Sequence, residues 1–486
     1  MEINELTAAE RRVWRAFATG TAVDFRAGDD EDAAEGARWG PERTVRASVL
    51  RALLLNGPQE PGEIAALKLA GARITGVLDL RYGATDFAVR LSHCHFHEVP
   101  ELYGARFRQL NLSHSALPGL IAATVRVEGV LRLTDCTITG PVRLGGAHIS
   151  GALFLEGARL SAPDDPEPVL RLHHAEIGDD LWAPGMRAEG QVQLDGAAVA
   201  GTVNLEGARF HNPGATALSA LTLDAGSDVR MRQVRAEGRI DFRGCRIPGR
   251  LELTLSRLSN PGGTALRISS GTVGELWLRR SEPVEGILNL RRARLDVLYR
   301  DPGVLPERVF LSDLTYTTLT PHEPAERRLP MLERDPRYEP HAYEQLTAAY
   351  RRIGDDYAAR LVQLAKQRRL RTTRAWYGRL WGYVQDVTVG YGFRPLRAAV
   401  WLLSLLAIGS IAFAAHHPRP LKASEAPHFN PVFYSLDLLL PVISFGQEDA
   451  FAPDGWYQYL AYTLIITGWI LATTVVTGVT RSVSRQ

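Results

Sequence analysis

The chain has 486 residues and a formal net charge of +2, which makes it too long for one ordinary compact domain. Its basic set is 53 Arg against 3 Lys (Lys68, Lys366 and Lys422), and three cysteines, Cys94, Cys136 and Cys245, exclude a disulfide framework. The opening MEINELTAAERRVWRAF is amphipathic and charged, which is not the pattern of a secretory signal.

Residues 1–62 predict a helical cap. Thr7 and Glu10 form a capping-box pair opening a helix that stops at Gly20, and Pro41 opens a second helix ending at Gly57. Between them lies an acidic loop carrying Asp29, Asp30, Glu31 and Asp32. The cap is needed because the open end of a strand stack invites aggregation unless something covers it.

Residues 63–316 predict a β-solenoid. From Val127 to Leu160 four columns of residues recur at one fixed step: Gly129, Gly140 and Gly151; Leu131, Val142 and Leu153; Leu133, Leu144 and Leu155; and the small residues Cys136, Ala147 and Ala158. A fixed short period marks a solenoid, whose units bury their apolar side only by stacking on one another. The apolar residues come in i, i+2 pairs such as Val142 with Leu144, so each pair is a very short strand. The glycines fall at corners that need a left-handed or tight backbone. Cys136 and Cys245 sit in the small inward column and Cys94 precedes Phe96 in the same pairing, which makes all three core residues.

This pattern resembles the pentapeptide-repeat proteins, whose four-sided right-handed β-helix places a small and a large apolar residue inward in every five. One extra residue in every second unit implies a coil of about 22 residues, a combination similar to a bacterial family of β-helix membrane proteins often labelled membrane-associated oxidoreductase. Roughly ten coils at the strand spacing of about 4.8 Å imply a column on the order of 50 Å long. Three Pro-containing interruptions, RLSAPDDPEPVL at Arg159, RFHNPGATAL at Arg209 and RLSNPGGTAL at Arg257, recur at an interval that two coils and a short loop account for. They predict a stacked loop ridge with Pro163, Asp164, Asp165, Pro213 and Pro261 as a recognition surface.

Chemistry on the column is sparse. Between Gly71 and Tyr299 there are 26 Arg and 25 acidic residues, with no basic stripe interleaved with aromatics to suggest a nucleic-acid partner. The carboxylate cluster and substrate groove of a polysaccharide-cleaving β-helix are absent too. An oxidoreductase would need a Gly-rich strand-to-helix turn or a redox cysteine pair, and neither occurs, so no catalytic, cofactor or metal residue is assigned. His93, His95 and His97 alternate and with His114 are of metal-ligand type, as are the carboxylates of the acidic loop at 29–32 for a divalent cation; outward polar positions on a coil and an acidic surface loop are the commoner explanations.

Residues 317–340 read as a Pro-rich linker and 341–394 as amphipathic and interfacial helices, the first running from His341 to Arg371. Lys366, Arg368, Arg369, Arg371 and Arg374 lie beside Trp376 and Trp381, the composition of a helix resting on an anionic lipid leaflet. Residues 395–486 predict a two-transmembrane hairpin, with uncharged runs at 398–415 and about 455–480. Basic residues outside the runs and acidic ones between them place the β-helix and both termini in the cytoplasm, at the cell inner membrane. The segment between the runs resembles the re-entrant part of a two-transmembrane ion-channel pore, with Ser444, Phe445, Gly446, Gln447 and Glu448 at the filter position. The expected function is a membrane-anchored cytoplasmic scaffold, with an ion-channel-like sensor or an oxidoreductase as alternatives. The expected partners are the lipid bilayer, a cytoplasmic protein and further copies of the chain through the helices and hairpin.

Overall fold

Every inward apolar residue of the repeat finds its counterpart one coil away. In the computed structural model, which describes residues 5–28, 31–162, 165–301, 303–390, 395–422, 427–440 and 443–483, short strands stack in parallel into an 18-stranded and a 16-stranded sheet. Together they form a right-handed β-solenoid of about 11 turns, with about 22 residues per coil. Leu131 lies on Leu153, Leu153 on Leu181 and Leu181 on Val203, and Val127, Ile149, Ile177 and Val199 make the neighbouring column. Leu133, Leu144 and Leu155 are completely buried, as are Cys136 and Ala158. The strand Arg106–Asn111 pairs with Arg126–Val127 through its first half and with Leu131–Arg132 through its second, so each sheet is creased and the column is four-sided.

Two corners carry ladders of left-handed residues. One runs through His93, His114, Asp135, Gly157, Gly185 and Gly207; the other includes Tyr82, Gly104, Thr124, Gly146 and His174. Each such residue turns its N–H to the carbonyl just before its counterpart, as His93 does to Ser113 at 3.0 Å and His114 to Thr134 at 2.8 Å. The glycines of the sequence repeat do something different. Gly140 is not left-handed, but a Cβ there would lie 2.2 Å from the Pro118 carbonyl, so what it supplies is close approach between coils.

Both ends are covered. Helix α1 (Ala8–Thr19) has the expected capping box, and α2 spans Ala47–Asn56. The second helix therefore begins later than expected: Pro41–Arg43 is a 3-10 turn, and Thr44–Arg46 is a strand lying on Arg73–Thr75. Val23–Asp24 likewise lies on Leu69 and Ala70, so the cap supplies a rung of its own. At the other end the expected linker contains a helix, α3 (Ala325–Glu333). The buried Glu323 carboxylate stands 3.2 Å from the Arg328 guanidinium and 3.7 Å from that of Arg300, and all three side chains are nearly inaccessible. Burial, and then the charge of Arg328, pull Arg300 down to about 10.

The chain divides into two compact units at residues 345 and 346. The long helix expected from His341 is two helices, α4 (Pro340–Arg352) and α5 (Asp356–Thr372). Gly354 is left-handed and the Asp355 side chain caps α5 through the Ala358 N–H, which stops one helix and starts the next. The helices α6 (Trp376–Val389), α7 (Pro395–Ala415), α8 (Pro431–Leu439) and α9 (Trp456–Val483) follow. Phe413, Tyr434, Leu438, Leu439, Phe451, Ala461 and Leu464 form a common core among α7, α8, α9 and the loop before α9. Small residues permit close packing there: a Cβ on Gly468 would lie 2.3 Å from the Leu439 carbonyl. Among the described residues no helix is long and apolar enough to cross a membrane, so the two expected spans are not supported. One face of α7 and one of α9 instead pack on α8 to build a protein core.

Candidate functional site

The candidate residues fall in three places. On the column, the Pro-containing interruptions occupy one corner, but on alternate coils. Pro163 and Asp164 lie outside the described residues, while Asp165 and Glu167 face Arg143 at 3.6 and 3.1 Å. Pro213 and Pro261 sit in bulges within the strands Arg209–Ser219 and Arg257–Arg267, each closed by an Asn side chain: Asn212 on the Thr216 carbonyl at 2.8 Å and Asn260 on the Thr264 carbonyl at 2.9 Å. A tight coil separates the two bulges, which is the two-coil interval that the spacing of the interruptions implies. What keeps that coil tight is Gly238, at φ +117°: a Cβ there would lie 2.3 Å from the Asn212 carbonyl, and only glycine lets this coil turn under the bulge. The same arrangement recurs two coils further on, at Gly286 under Asn260.

The histidines separate. His93 and His114 stack with ring centroids 4.5 Å apart, and Asp135 lies 3.7 Å from His114 in an open polar groove that Glu31, Asp32 and Arg159 also line. His95 instead meets the Ala33 carbonyl through Nδ1 at 3.0 Å, and His97 is exposed. Burial and the neighbouring His114 hold His93 below the ordinary imidazole range. Among the described residues no group of three or more His, Cys, Asp or Glu side chains is placed to hold a metal ion. The three cysteines are free and buried, and burial pushes each thiol up to about 12, which leaves them unreactive.

In the C-terminal unit the filter-like segment is a clasp around one carboxylate. The backbone N–H groups of Phe445, Gln447 and Glu448 all donate to Asp437, a buried residue of α8; those of Gln447 and Glu448 do so at 2.8 and 3.2 Å. The Gly446 N–H donates to the Ser444 hydroxyl. Gln447, also buried, donates to the His428 carbonyl and accepts from the Asn430 N–H, and Asn430 in turn caps α8. These contacts tie both ends of α8 together within one chain. Burial and the nearby Asp437 raise the Glu448 carboxyl above its usual range. By sequence Asp437 is one of several loop acids; its place among leucines in LDLLL is the available signal that it is buried.

The basic, aromatic region is partly self-compensated. Arg368 and Arg371 pair with Asp386 at 2.9 and 3.3 Å, and the Arg371 guanidinium lies 3.8 Å over the Tyr383 ring. Lys366 and Arg369 are half-buried on α5, Arg374 and Trp376 are exposed, and the Trp381 side chain lies outside the described residues. Trp376, Leu380, Tyr383 and Val387 are all exposed at helical spacing, an outward apolar stripe along α6. No family model, curated protein or solved structure matches this chain.

Proposed function

We propose that the protein is a scaffold: a β-solenoid that presents its outer surface to a protein partner while the C-terminal helices hold it to a lipid bilayer, with the column on the cytoplasmic side of the inner membrane. The observation that carries the bilayer half is the outward surface of those helices. Besides the α6 stripe, Val400, Leu403 and Ile411 on α7 and Trp456, Tyr459, Ile466 and Trp469 on α9 are exposed, although the same helices already share a filled core. Contiguous apolar surface on a folded unit is a binding surface, and aromatic rings beside arginines suit the lipid headgroup region. The exposed Arg374, Arg379 and Arg397 supply the charge for an anionic leaflet. The scaffold half rests on the column, whose inward residues are packed and whose cysteines are inert, so what it offers is surface.

Flotation of the full chain with vesicles tests this. The protein is expected to rise with vesicles containing anionic lipid, and a Trp376→Ser/Leu380→Ser/Tyr383→Ser variant should partition at least about a thousandfold less, from the loss of three membrane-buried apolar side chains at about 1.5 kcal/mol each. A full chain that stays at the bottom with anionic and zwitterionic vesicles alike overturns the proposal.

A further inference from the structure

Five arginines form a row up one side of the column. Arg159 lies on Arg187, Arg187 on Arg209, Arg209 on Arg235 and Arg235 on Arg257, each the direct cross-strand neighbour of the next, and all five are exposed. At the strand spacing the row extends about 19 Å. Like charges directly opposite one another destabilise a sheet. Arg257 is offset by Glu282 at 3.4 Å and Glu285 at 3.7 Å, but among the described residues no ion pair holds the other four guanidinium groups. The fold therefore carries a row of like charges there that ion pairing offsets, among the described residues, at Arg257 alone.

The surroundings of the row narrow the partner. Two residues before the first three arginines stand Gly157, Gly185 and Gly207, left-handed and without side chains, so bare backbone runs along one side. Two residues after the arginines stand Ser161, Glu189, His211, Glu237 and Ser259, with His211 and Glu237 paired at 2.9 Å. No Phe, Tyr or Trp belongs to either flanking column, which removes the stacking platform a single-stranded nucleic acid uses. The flanking acids also disfavour a polymer charged on every side.

We infer that the arginine row is the docking site for an acidic α-helix of a partner protein. Carboxylates at i, i+3 or i+4, and i+7 recur once per turn, about every 5.4 Å, against rungs about 4.8 Å apart. Over three intervals the mismatch is about 2 Å, which flexible arginine side chains absorb. In an extended strand, same-face carboxylates recur about every 6.7 Å and fall about 6 Å out of step over the same distance. A helix also leaves its flanks free to set basic residues against Glu189 and Glu237, the complementarity that fixes register. This inference rests on the scaffold half of the proposed function and is independent of the bilayer half.

The test is fluorescence anisotropy of the full chain with a labelled helical peptide of about 20 residues. The peptide carries Glu along one face, Lys on the flanks and Ala elsewhere. Saturable, salt-sensitive binding is expected, with a scrambled peptide of the same composition at least about tenfold weaker. The Arg187→Ala/Arg209→Ala/Arg235→Ala variant should bind about a hundredfold more weakly while melting no lower than the parent, since it relieves the repulsion. If it does melt lower, Arg209→Ala and Arg209→Glu give the same comparison singly. Equal binding of the scrambled peptide, unchanged binding by the arginine variants, or tighter arginine-dependent binding of an oligothymidylate or of inorganic polyphosphate would each overturn the inference. Failure of flotation leaves it untouched.

Discussion

The carboxylate of Glu10 is buried, and burial alone would raise its pKa. Hydrogen bonds from the Arg46 guanidinium at 2.8 Å and from the Thr7 and Arg46 N–H groups outweigh that and hold it at about 2, well below its ordinary 4.5. Because the folded value is the lower one, the ionised group stabilises the cap above the unfolded pKa, and this contribution is lost as pH falls from about 4.5 towards 2. Thermal melts across that range should show the parent losing about 3 kcal/mol that the Glu10→Gln variant does not lose, giving the variant a flatter profile. Thr7 and Glu10 are legible as a capping box because the two lie three residues apart. Arg46, a further 36 along, carries no local mark of its role. Asp437 is a similar case: the three N–H groups that satisfy it come from a turn eight to eleven residues away.

At the scale of elements, sequence pattern and structure differ at the two expected membrane spans and at α3. Four prolines between 321 and 339 suggest a linker, yet Pro330 sits inside α3, and Arg328 reaches Glu323 beneath it. Removing the single carboxylate of this group would leave two buried guanidinium groups facing each other without it. Glu323→Ala is therefore expected to destabilise the C-terminal end of the column by about 3–5 kcal/mol, read as earlier hydrogen exchange of Arg308–Phe310 and Thr315–Thr320 than of the central coils. An unchanged exchange pattern would show that the group does not brace the cap. The break between α4 and α5 is legible in principle, because IGDD places a glycine stop directly before an aspartate cap.

Across the whole molecule, stability is the sum of nearest-neighbour coil contacts, so a defect in the middle is felt on both sides. Leu144 is fully buried between coils, and its N–H is bonded to the Arg171 carbonyl of the next. Leu144→Asp would place a carboxylate where no partner exists and should abolish soluble accumulation of the full chain, whereas an outward Arg159→Asp should not. Equal yields and melting temperatures for Leu144→Asp and the parent would show the inward register to be mistaken. The tight coils at Gly238 and Gly286 add a second, longer period to the first, in which a bulged coil and a plain coil alternate.

The sequence by itself determined the solenoid, its coil length, its inward columns and the inertness of the cysteines, because these follow from alternation within a strand and from a period that repeats in one dimension. It did not determine which outward residues become neighbours. Arg159, Arg187, Arg209, Arg235 and Arg257 stand at unequal steps along the chain, and these look like scatter until the bulges absorb the difference and set the five in one row. Net charge near zero over the column concealed them further, since averaging along the chain discards position around the coil. The clasp at Asp437 and the brace at Glu323 were likewise decided only by tertiary structure, because each joins groups whose pairing depends on burial and not on spacing.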